Sequence, residues 1–503
     1  MQATAQATRS LSRKPVRRVI IAGGGTAGWM SAALLSKSLG KRLEITLVES
    51  DEIGTVGVGE ATIPTMITFH NLLELKEAEF MAATNATFKL GISFENWRNV
   101  GEHYIHSFGE TGIDHWTAGF QHFWHAGRQR GLAREYGDYC LELKAAQAER
   151  FAHLPDNGMN YAYHLDASAY ARFLRKFSEG FGVKRVEGKI GKVNLDEGSG
   201  DIASLTMSDG RVLEADLFLD CTGFRSLLLG EAMGVPYEDW SHLLLCDSAL
   251  AVQTESTARM VPYTRSIAHG AGWQWQIPLQ TRVGNGHVYS SRYVGDDEAR
   301  ATLLSNLDSK PVTEPRLIRF TPGQRAQTWK GNCIAFGLSS GFLEPIESTS
   351  IHLVSRNLTR LMQLFPNDGI SQADIDEYNI QCANEMVHIR DFIILHYHVT
   401  NRQDTPFWRD CRAMQVPDTL RHRIALFRET GRVFRVPAEL FAENSWIQVM
   451  IGQGLVPDSH HQSADLMPDE ELRGFLDSIS NRVDHIVRQL PQHKEYVRRY
   501  CAG

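Results

Sequence analysis

The sequence predicts an α/β fold with a Rossmann-like module on a parallel sheet, a β-rich section and a mainly helical C-terminal part. Three observations predict this fold. A strand, a glycine turn, a helix and a second strand follow one another over residues 17–49. Strand-like segments fill about 183–295, and helical periodicity begins near residue 350. With 503 residues, 43% of them apolar, the chain can bury a large core.

The N-terminal residues 1–16 predict a disordered basic leader. They contain Arg9, Arg13 and Lys14 but no acidic residue and no long apolar run. A secretory signal needs an apolar stretch of about 7–15 residues, which this segment lacks, whereas a transit peptide is an alternative on composition. No segment approaches the ~20 apolar residues of a membrane span, so no membrane partner is expected.

Charge and cysteine content exclude other classes of protein. The net charge is -7 and the pI is near 6.3, which argues against a nucleic-acid binder, because such proteins carry a basic surface. Seven cysteines are scattered along the chain without a Cys-x-x-Cys pair. An odd, dispersed set argues against a disulfide framework and favours a reducing, cytoplasmic location.

The first βαβ unit contains a dinucleotide-binding fingerprint, Gly23-x-Gly25-x-x-Gly28. The predicted strands at 17–22 and 43–49 lie parallel because a helix connects them. The first glycine permits a tight turn, the second lets the backbone approach a pyrophosphate, and the third lets the helix pack closely. The free N–H groups of the helix N-terminus then bind phosphates. The predicted cofactor contacts on this turn are Gly23, Gly25, Thr26, Ala27 and Gly28.

An acidic residue and two later turns extend this cofactor site. Glu49 ends the second strand, at the position where an acid accepts a hydrogen bond from a ribose hydroxyl. Further strand–glycine turns occur at 220–224 and 337–341, and the second supplies Gly337 and Leu338. Because these turns can reach the rest of a longer cofactor, FAD is predicted rather than NAD.

No clear linker divides the remainder of the chain. Residues 17–365 predict an FAD-binding module with a helical segment inserted at about 65–180. Within it, residues 183–221 alternate like an antiparallel meander whose turn is Asp209-Gly210. Residues 366–503 predict a helical substrate-side module packed on the first.

Two tryptophans lie two residues apart in the run Gly-Trp-Gln-Trp-Gln-Ile-Pro at 272–278. Side chains two apart on a strand point to the same face, so Trp273 and Trp275 predict a pair of indoles on one side of a sheet. Such an aromatic wall beside a flavin would allow a small oxidant to form where an organic substrate cannot enter.

This run, together with the glycine fingerprint, resembles the flavin-dependent halogenases of the tryptophan-halogenase family. Three other segments resemble the family in order and spacing: Val56 to Pro64, Asn85 to Lys89, and Pro345 to Thr349. The resemblance covers roughly residues 17–460. It implies a flavin monooxygenase-type fold. It also implies an enzyme in which reduced FAD and oxygen form a flavin hydroperoxide that oxidises chloride or bromide to hypohalous acid.

The resemblance implies a role for each quoted segment. Lys89 and Glu347 are the implied catalytic residues, and backbone N–H groups at Thr349 and Ser350 are the implied halide site. Trp273 and Trp275 would shield the flavin. Lys89 either hydrogen-bonds hypohalous acid as an ammonium or forms a haloamine as an amine, and burial favours the second route. Glu347 would polarise the oxidant or take the proton from the attacked ring.

The resemblance also implies contacts on either side of the catalytic pair. The loop beside the isoalloxazine would contribute Gly59, Glu60 and Ala61, and the implied substrate contacts are Ile63, Pro64, His106, Phe108 and Trp446. Tryptophan halogenases hold the ammonium and carboxylate of their substrate with tyrosines in the C-terminal part, whereas the comparable stretch here, residues 444–448, has no tyrosine pair. This difference argues against free tryptophan and leaves a simpler indole, another arene or a larger indole-bearing molecule.

The implied partners are a separate flavin reductase that supplies diffusible FADH2, a halide ion and a small aromatic substrate, with a homodimer as an alternative to a monomer. A flavin-dependent aromatic monooxygenase and a non-catalytic flavin-binding protein are the competing interpretations. Histidine pairs at 122 and 125, 396 and 398, and 460 and 461 lack the spacing of a known metal site, so no metal is expected.

Overall fold

The computed structural model of the protein describes residues 14–53 and 59–501. Most of the predicted leader, and Val56, Gly57 and Val58 of the predicted flavin loop, lie outside the described residues. Val16, within the predicted leader, is buried against the core, so the ordered chain begins before residue 17. Over the described ranges, no helix is long and apolar enough to cross a membrane.

The described residues form twenty-two strands and fourteen α-helices. In chain order, β1 to β22 are Arg18–Ala22, Glu44–Glu49, Gly59–Ala61, Thr87–Lys89, Gly91–Glu95, His103–Ser107, Ala162–Asp166, Lys184–Glu187, Ile190–Leu195, Ile202–Met207, Val212–Leu213, Leu217–Asp220, Tyr237–Asp239, Ser248–Glu255, Thr264–His269, Gly272–Pro278, Arg282–Tyr289, Arg316–Arg319, Gly323–Arg325, Trp329–Lys330, Cys333–Ala335 and Gly341–Phe342. The helices α1 to α14 are Thr26–Leu39, Thr65–Leu73, Glu77–Ala83, Phe120–Gln129, Leu141–Gln147, Ala167–Gly180, Asp296–Ser305, Ser350–Gln363, Gln372–His398, Pro406–Ala413, Asp418–Thr430, Glu443–Gly452, Asp469–Gln489 and His493–Cys501.

The predicted parallel sheet is present and contains six strands in the order β20-β21-β12-β1-β2-β8. Strands β21, β12, β1, β2 and β8 run parallel, and the edge strand β20 is antiparallel. The apolar run of β1 is buried from Val19 to Ala22, as expected of a strand covered on both faces. The carboxyl ends of these strands therefore meet at one edge, where the glycine turns lie.

The predicted meander is also present. Strands β9, β10 and β11 form a three-stranded antiparallel sheet in that spatial order. The turn between β10 and β11 contains Gly210 with a φ of 89°, a left-handed conformation that favours glycine. The Asp-Gly signal therefore located this hairpin correctly.

The two tryptophans lie in the middle of a seven-stranded sheet of order β18-β14-β17-β16-β15-β5-β6. Both occupy β16 and share one face, with ring centroids 6.2 Å apart, which confirms the predicted pairing of the indoles. Strands β5 and β6 come from the segment at about 65–180. This segment, for which a mainly helical insertion was predicted, contains strands β4 to β7 as well as helices α2 to α6. Short strands whose partners lie far along the chain leave little local periodicity.

The glycine opposite Trp275 makes room for the indole. Trp275 pairs with Gly286 of β17, and a Cβ built on Gly286 would lie 2.0 Å from the indole ring. The ring therefore lies directly over the backbone of the neighbouring strand.

The C-terminal helices pack on the tryptophan-bearing face. Trp273, Phe392 of α9 and Trp446 of α12 belong to the same buried apolar cluster. Helix α9 is 27 residues long and its C-terminal half is buried, so it runs through the core beneath the sheet. The region after residue 366 is helical and lies against the rest of the protein, as predicted.

We expect Gly286→Ala to destabilise the fold by ~1–3 kcal/mol, because the added methyl group forces the Trp275 ring to move within a packed core. The melting temperature followed by circular dichroism measures this. Gly474→Ala is the control, since Gly474 is exposed within α13 with open space around its Cβ position, and it should be stabilised by up to ~1 kcal/mol. Equal melting temperatures for wild type and Gly286→Ala would contradict the packing.

Candidate active site

The three fingerprint glycines differ in their surroundings. A side chain would clash at Gly23 and Gly28, whereas Gly25 faces open space. Gly23 has a φ of 109°, and a Cβ there would lie 2.2 Å from the carbonyl oxygen of Cys221. A Cβ on Gly28 would lie 1.9 Å from the carbonyl oxygen of Gly23, so α1 packs directly on the turn. No atom lies within 4 Å of a Cβ on Gly25. These are the geometries of a tight turn, a close helix contact and an open backbone.

The three glycine turns converge at the same sheet edge. A Cβ on Gly337 would lie 3.0 Å from the Cβ of Ala27, which brings the turn after β21 against the start of α1. Ser339 donates to the carbonyl oxygen of Gly223 across 3.1 Å. Leu338 lies in the single 3₁₀ turn over Gly337–Ser339, and Thr26 is the first residue of α1.

Glu49 lies at the end of β2 beside this turn. Its Oε1 accepts from Arg185 Nε at 2.6 Å, and its Oε2 accepts from Trp29 Nε1 at 3.3 Å. A Cβ on Gly24 would collide with the carboxylate, which lies directly over the glycine backbone. Sequence reasoning missed Arg185, which comes from β8, the strand next to β2 in the sheet.

These residues fit a dinucleotide cofactor. The N-cap residue Gly25 makes no side-chain hydrogen bond to the first turn of α1, so the helix N-terminus keeps donors for a pyrophosphate. The open space at Gly25 would admit a phosphate close to the backbone, and Glu49 ends the strand beside the same turn.

Strand β3 connects the cofactor side to the tryptophan-bearing sheet. Gly59 approaches Gly284 so closely that a Cβ on Gly284 would lie 2.9 Å from the Gly59 nitrogen. Glu60 lies between Gly59 and Ala61, and although its side chain keeps partial surface exposure, burial raises the pKa of its carboxyl group to about 7. The chain then turns through Thr62 and Ile63 into Pro64, the N-cap of α2.

Lys89 ends β4 and is fully buried. Its Nζ donates to the carbonyl oxygen of Thr62 at 3.0 Å and to Ser348 Oγ at 2.8 Å, and it lies 5.1 Å from the ring centre of Phe108. Burial lowers the pKa of the amine from 10.5 to about 7, although the charge of Glu347 acts in the opposite direction. The lysine therefore joins the loop after β3 to the segment after Glu347.

Glu347 lies between two histidines. His106 Nδ1 is 3.0 Å from both carboxylate oxygens, and His396 Nε2 lies 2.8 Å from Oε1, close enough for an ion pair although not aligned as a hydrogen bond. Burial alone would raise the pKa of Glu347, but the charges and hydrogen bonds of the histidines hold it at about 2. His396 Nδ1 lies 2.8 Å from the Phe392 carbonyl oxygen, and this contact leaves the Nε2 side of the ring facing the carboxylate.

The backbone after Glu347 forms a site suited to a small anion. Ser348 has a φ of 59°, which ends the 3₁₀ turn over Pro345–Glu347 and starts α8. Thr349 is the N-cap, and no side chain caps the helix. Thr349 Oγ1 is buried without a hydrogen-bond partner. Free N–H groups of Thr349 and Ser350 beside an unpartnered hydroxyl group fit a halide ion.

Trp273 is buried against the segment that contains Glu347. Its Nε1 donates to Glu344 Oε2 at 3.0 Å, whereas Trp275 Nε1 is buried without a partner. The two tryptophans therefore differ, since of the pair only Trp273 has a hydrogen bond to residues 344–349, the proposed catalytic segment.

The predicted substrate residues divide between two places. His106 lies in an aromatic cluster with Phe392, Phe441 and Trp446, in which Phe392 stacks on Phe441 at 3.8 Å and meets Trp446 edge-on at 4.8 Å. Phe108 instead lies beside Lys89. The two rings therefore flank Glu347 and Lys89, with Glu347 next to His106 and Lys89 next to Phe108.

Side chains of the stretch 444–448 form hydrogen bonds with the backbone at the end of β6 and just after it. Asn444 Nδ2 and Gln448 Nε2 donate to the carbonyl oxygen of Gly109, and Gln448 Oε1 accepts from the Ser107 N–H. The Trp446 ring lies under the Arg423 guanidinium at 4.1 Å. The polar side chains of this stretch therefore position backbone.

The histidine pairs are brought together without forming a metal centre. The His122 ring lies 6.0 Å from that of His461, and the His125 ring lies 5.5 Å from that of His460. Among residues 14–53 and 59–501, no group of three or more potential ligands has metal-binding geometry.

Sequence reasoning did not single out four residues that bond Lys89 or Trp273 or their partners: Thr62, Ser348, Glu344 and Tyr397. Their signal was faint, since each lies next to a residue of interest rather than within a motif of its own. His396 was considered only as a metal ligand, whereas its partner is Glu347. The one usable indication was the polar pair His396-Tyr397, which directly follows the buried apolar run at 392–395 near the end of α9.

The fold and site define a dinucleotide-binding enzyme that also contains a buried lysine and a buried carboxylate. The family model for tryptophan halogenase matches residues 18–469. The chain is 65% identical to Xcc4156, a flavin-dependent halogenase from Xanthomonas campestris, with a TM-score of 0.96 over 97% of this chain and 99% of that chain. It is 44% identical to the flavin-dependent halogenase BrvH from Brevundimonas sp. BAL3, with a TM-score of 0.93 over 96% and 99%.

Tryptophan 7-halogenase RebH of Lentzea aerocolonigenes is 36% identical over 524 residues, which cover 96% of this chain and 98% of RebH. The chain belongs to the tryptophan halogenase family. It is a flavin-dependent halogenase, an oxidoreductase that uses halide to halogenate an aromatic substrate.

The pKa of Lys89 generates a prediction about stability. The folded amine has a pKa of about 7 and the unfolded amine one of 10.5, so between these values the unfolded chain binds more protons and stability rises with pH. The free energy of unfolding of wild type relative to Lys89→Met should therefore increase by a few kcal/mol from pH 6 to pH 9.5, at ~1.4 kcal/mol per pH unit inside the window. Urea unfolding of both proteins measures the difference, and a value independent of pH would contradict the burial of a titrating amine.

Proposed function

We propose that the chain halogenates an indole or another electron-rich arene with hypohalous acid that is formed beside the flavin and received by Lys89. One observation carries this proposal. The buried Lys89 amine bonds the carbonyl oxygen of Thr62 on the cofactor side and Ser348 Oγ on the halide side. The amine is thus the group that an oxidant formed between those segments would meet first.

FAD would be held by the converging glycine turns, with Glu49 at the ribose and the N–H groups of α1 at the pyrophosphate. When bound in its reduced form, FAD supplies the electrons for the reaction of oxygen that oxidises halide to hypohalous acid. We propose a separate flavin reductase as its source. The seven cysteines are all free, which agrees with a reducing, cytoplasmic location.

The halide would lie at the N-terminus of α8. The N–H groups of Thr349 and Ser350 would donate to the anion, and the Thr349 hydroxyl group, which is buried without a hydrogen-bond partner, would add a third donor. Ser348 lies between this site and Lys89, so its Oγ marks the short path from halide to amine.

Lys89 can act in either protonation state near neutral pH, because burial lowers the pKa of the amine to about 7. The ammonium form would hydrogen-bond hypohalous acid and increase the electrophilicity of the halogen. The neutral form would attack it to give a haloamine and water. The neutral acceptors Thr62 O and Ser348 Oγ hold the nitrogen in place in both cases.

Glu347 would stabilise the cation that forms when the arene takes up halogen, and would then accept the ring proton. His106 and His396 keep the carboxylate ionised and hold its two oxygens in place. An arene between the His106 cluster and Phe108 would therefore lie between the carboxylate and the amine.

An indole without a free amino-acid headgroup fits this site best. RebH is named as a tryptophan 7-halogenase. In the present chain, Asn444 and Gln448 of the comparable stretch are occupied with the backbone of residues 107 and 109. The aromatic cluster supplies stacking of ~0.5–1.5 kcal/mol per ring pair for an apolar arene.

The competing activity, direct hydroxylation by a flavin monooxygenase, needs the arene beside the flavin. Trp273 and Trp275 are both buried on the face between the large sheet and the catalytic segment. This position favours exclusion of the arene and therefore halogenation.

Lys89→Ala should still consume reduced FAD in the presence of oxygen and bromide but give no halogenated indole, because the oxidant finds no amine. Product is measured by mass spectrometry and flavin oxidation by absorbance. Lys330→Ala is the matched control, because Lys330 also donates to a backbone carbonyl but lies at the edge of the parallel sheet. Undiminished product with Lys89→Ala would remove the lysine from the mechanism, and a wild-type product gaining oxygen in place of halogen would favour the monooxygenase.

Glu347→Gln should lower the rate of product formation by roughly 10²-fold or more, because general acid–base assistance is typically worth ~10²–10⁴. The uncharged amide can neither stabilise the cationic ring nor take its proton. Rates with saturating indole are compared with those of Glu314→Gln, the same substitution at an exposed carboxylate. A rate within twofold of the control would exclude a direct role for Glu347.

A further inference from the structure

Glu344 is a carboxyl group fully buried beside the flavin-shielding tryptophan. Its Oε2 accepts from Trp273 Nε1 at 3.0 Å and from the Tyr397 hydroxyl group, while Oε1 is buried without a hydrogen-bond partner. Burial raises the pKa of this carboxyl group to about 7, although the Tyr397 and Trp273 hydrogen bonds act to lower it. A half-satisfied buried carboxyl group is costly to the fold, so packing alone does not account for it.

Two acidic residues of one segment bind two consecutive residues of α9. Glu344 lies three residues before Glu347, and the 3₁₀ turn over Pro345–Glu347 holds their separation. Tyr397 bonds Glu344 and the adjacent His396 faces Glu347. The catalytic segment is therefore held on the helix at two neighbouring points.

The Trp273 hydrogen bond adds the large sheet to this arrangement. Trp273 lies in β16, between β15 and β17, and its indole N–H reaches out of the sheet to Glu344. One carboxyl group thus joins the shielding indole, the helix α9 and the segment that ends at Glu347.

We propose that Glu344 is a positioning residue for halogenation, which holds the Trp273 indole against the catalytic segment so that the aromatic shield and Glu347 keep one relative position. This inference rests on the proposed function. Without the carboxyl acceptor the indole N–H loses this hydrogen bond, and the ring is no longer tied to the segment. Oxidant would then be lost before it reaches the arene.

The hydrogen bond itself can be tested without flavin or substrate. In protein labelled with ¹⁵N-tryptophan, the indole resonance of Trp273 is assigned by its absence from Trp273→Phe. We expect this resonance to move upfield in Glu344→Leu, because its acceptor is removed, and to move less in Glu344→Gln, whose amide oxygen can still accept. An unmoved resonance in Glu344→Leu would overturn the inference.

The positioning role is tested by the yield of halogenated product per reduced FAD consumed. The yield should fall by roughly tenfold or more in Glu344→Leu, since a displacement of ~1 Å at a reacting site costs up to ~10²-fold, and Glu344→Gln should recover most of it. Unchanged flavin consumption with a lower yield shows that oxidant is lost before it reaches the arene. An unchanged melting temperature shows that the variant is still folded. Trp329→Phe is the matched control, because it removes an indole hydrogen bond to the Gly331 carbonyl in the parallel sheet, and it should keep the wild-type yield.

The outcomes separate the two proposals. A normal yield in Glu344→Leu beside a shifted Trp273 resonance would overturn the positioning role and leave the proposed function intact. Failure of the wild-type enzyme to halogenate any arene would overturn the proposed function, and with it a positioning role in that reaction. A shifted resonance with a reduced yield that Glu344→Gln restores supports the inference.

Discussion

The site depends on the burial of an amine, Lys89, near a carboxylate, Glu347, while each group is held by other partners. Lys89 is held by neutral oxygens, Thr62 O and Ser348 Oγ, whereas Glu347 lies against His106 and His396. A direct ion pair would leave the lysine permanently protonated and its nitrogen occupied. Because burial acts on the amine without a bonded carboxylate, its pKa falls to about 7, as the proposed reaction with a neutral oxidant requires.

The rest of the fold serves to bring these groups together from distant parts of the chain. Lys89 lies in the three-stranded sheet of β3, β7 and β4, whose first strand leads directly into Thr62. The left-handed Ser348 supplies the second acceptor and also leads into α8, so the turn that holds the amine also forms the proposed anion site. The tryptophan-bearing sheet and α9 enclose this turn, and Glu344 connects all three.

Much of the cofactor half could be predicted from sequence, because its signals are local. The glycine turn, the parallel strands and the placement of two indoles on one face follow from residues a few positions apart. The pairing of β5 with β15 could not be predicted, since it joins Ile92 to Thr264 across a long stretch of chain. The two histidines beside Glu347 could not be predicted for the same reason, since they come from β6 and α9. Nor could the glycine that makes room for Trp275, which lies on the neighbouring strand. Lys89 and Glu347 themselves were found through a family resemblance, while the geometry that distinguishes them from ordinary surface charges required the structure.

The central claim is that Lys89 holds a shielded amine that changes protonation near neutral pH. Nuclear magnetic resonance of protein labelled at the lysine ε-carbon tests this directly, with the Lys89 signal assigned by its absence from Lys89→Met. The account predicts one lysine that titrates near pH 7, while exposed lysines titrate near the ordinary pKa of ~10.4. A Lys89 signal that titrates together with the exposed lysines would contradict it.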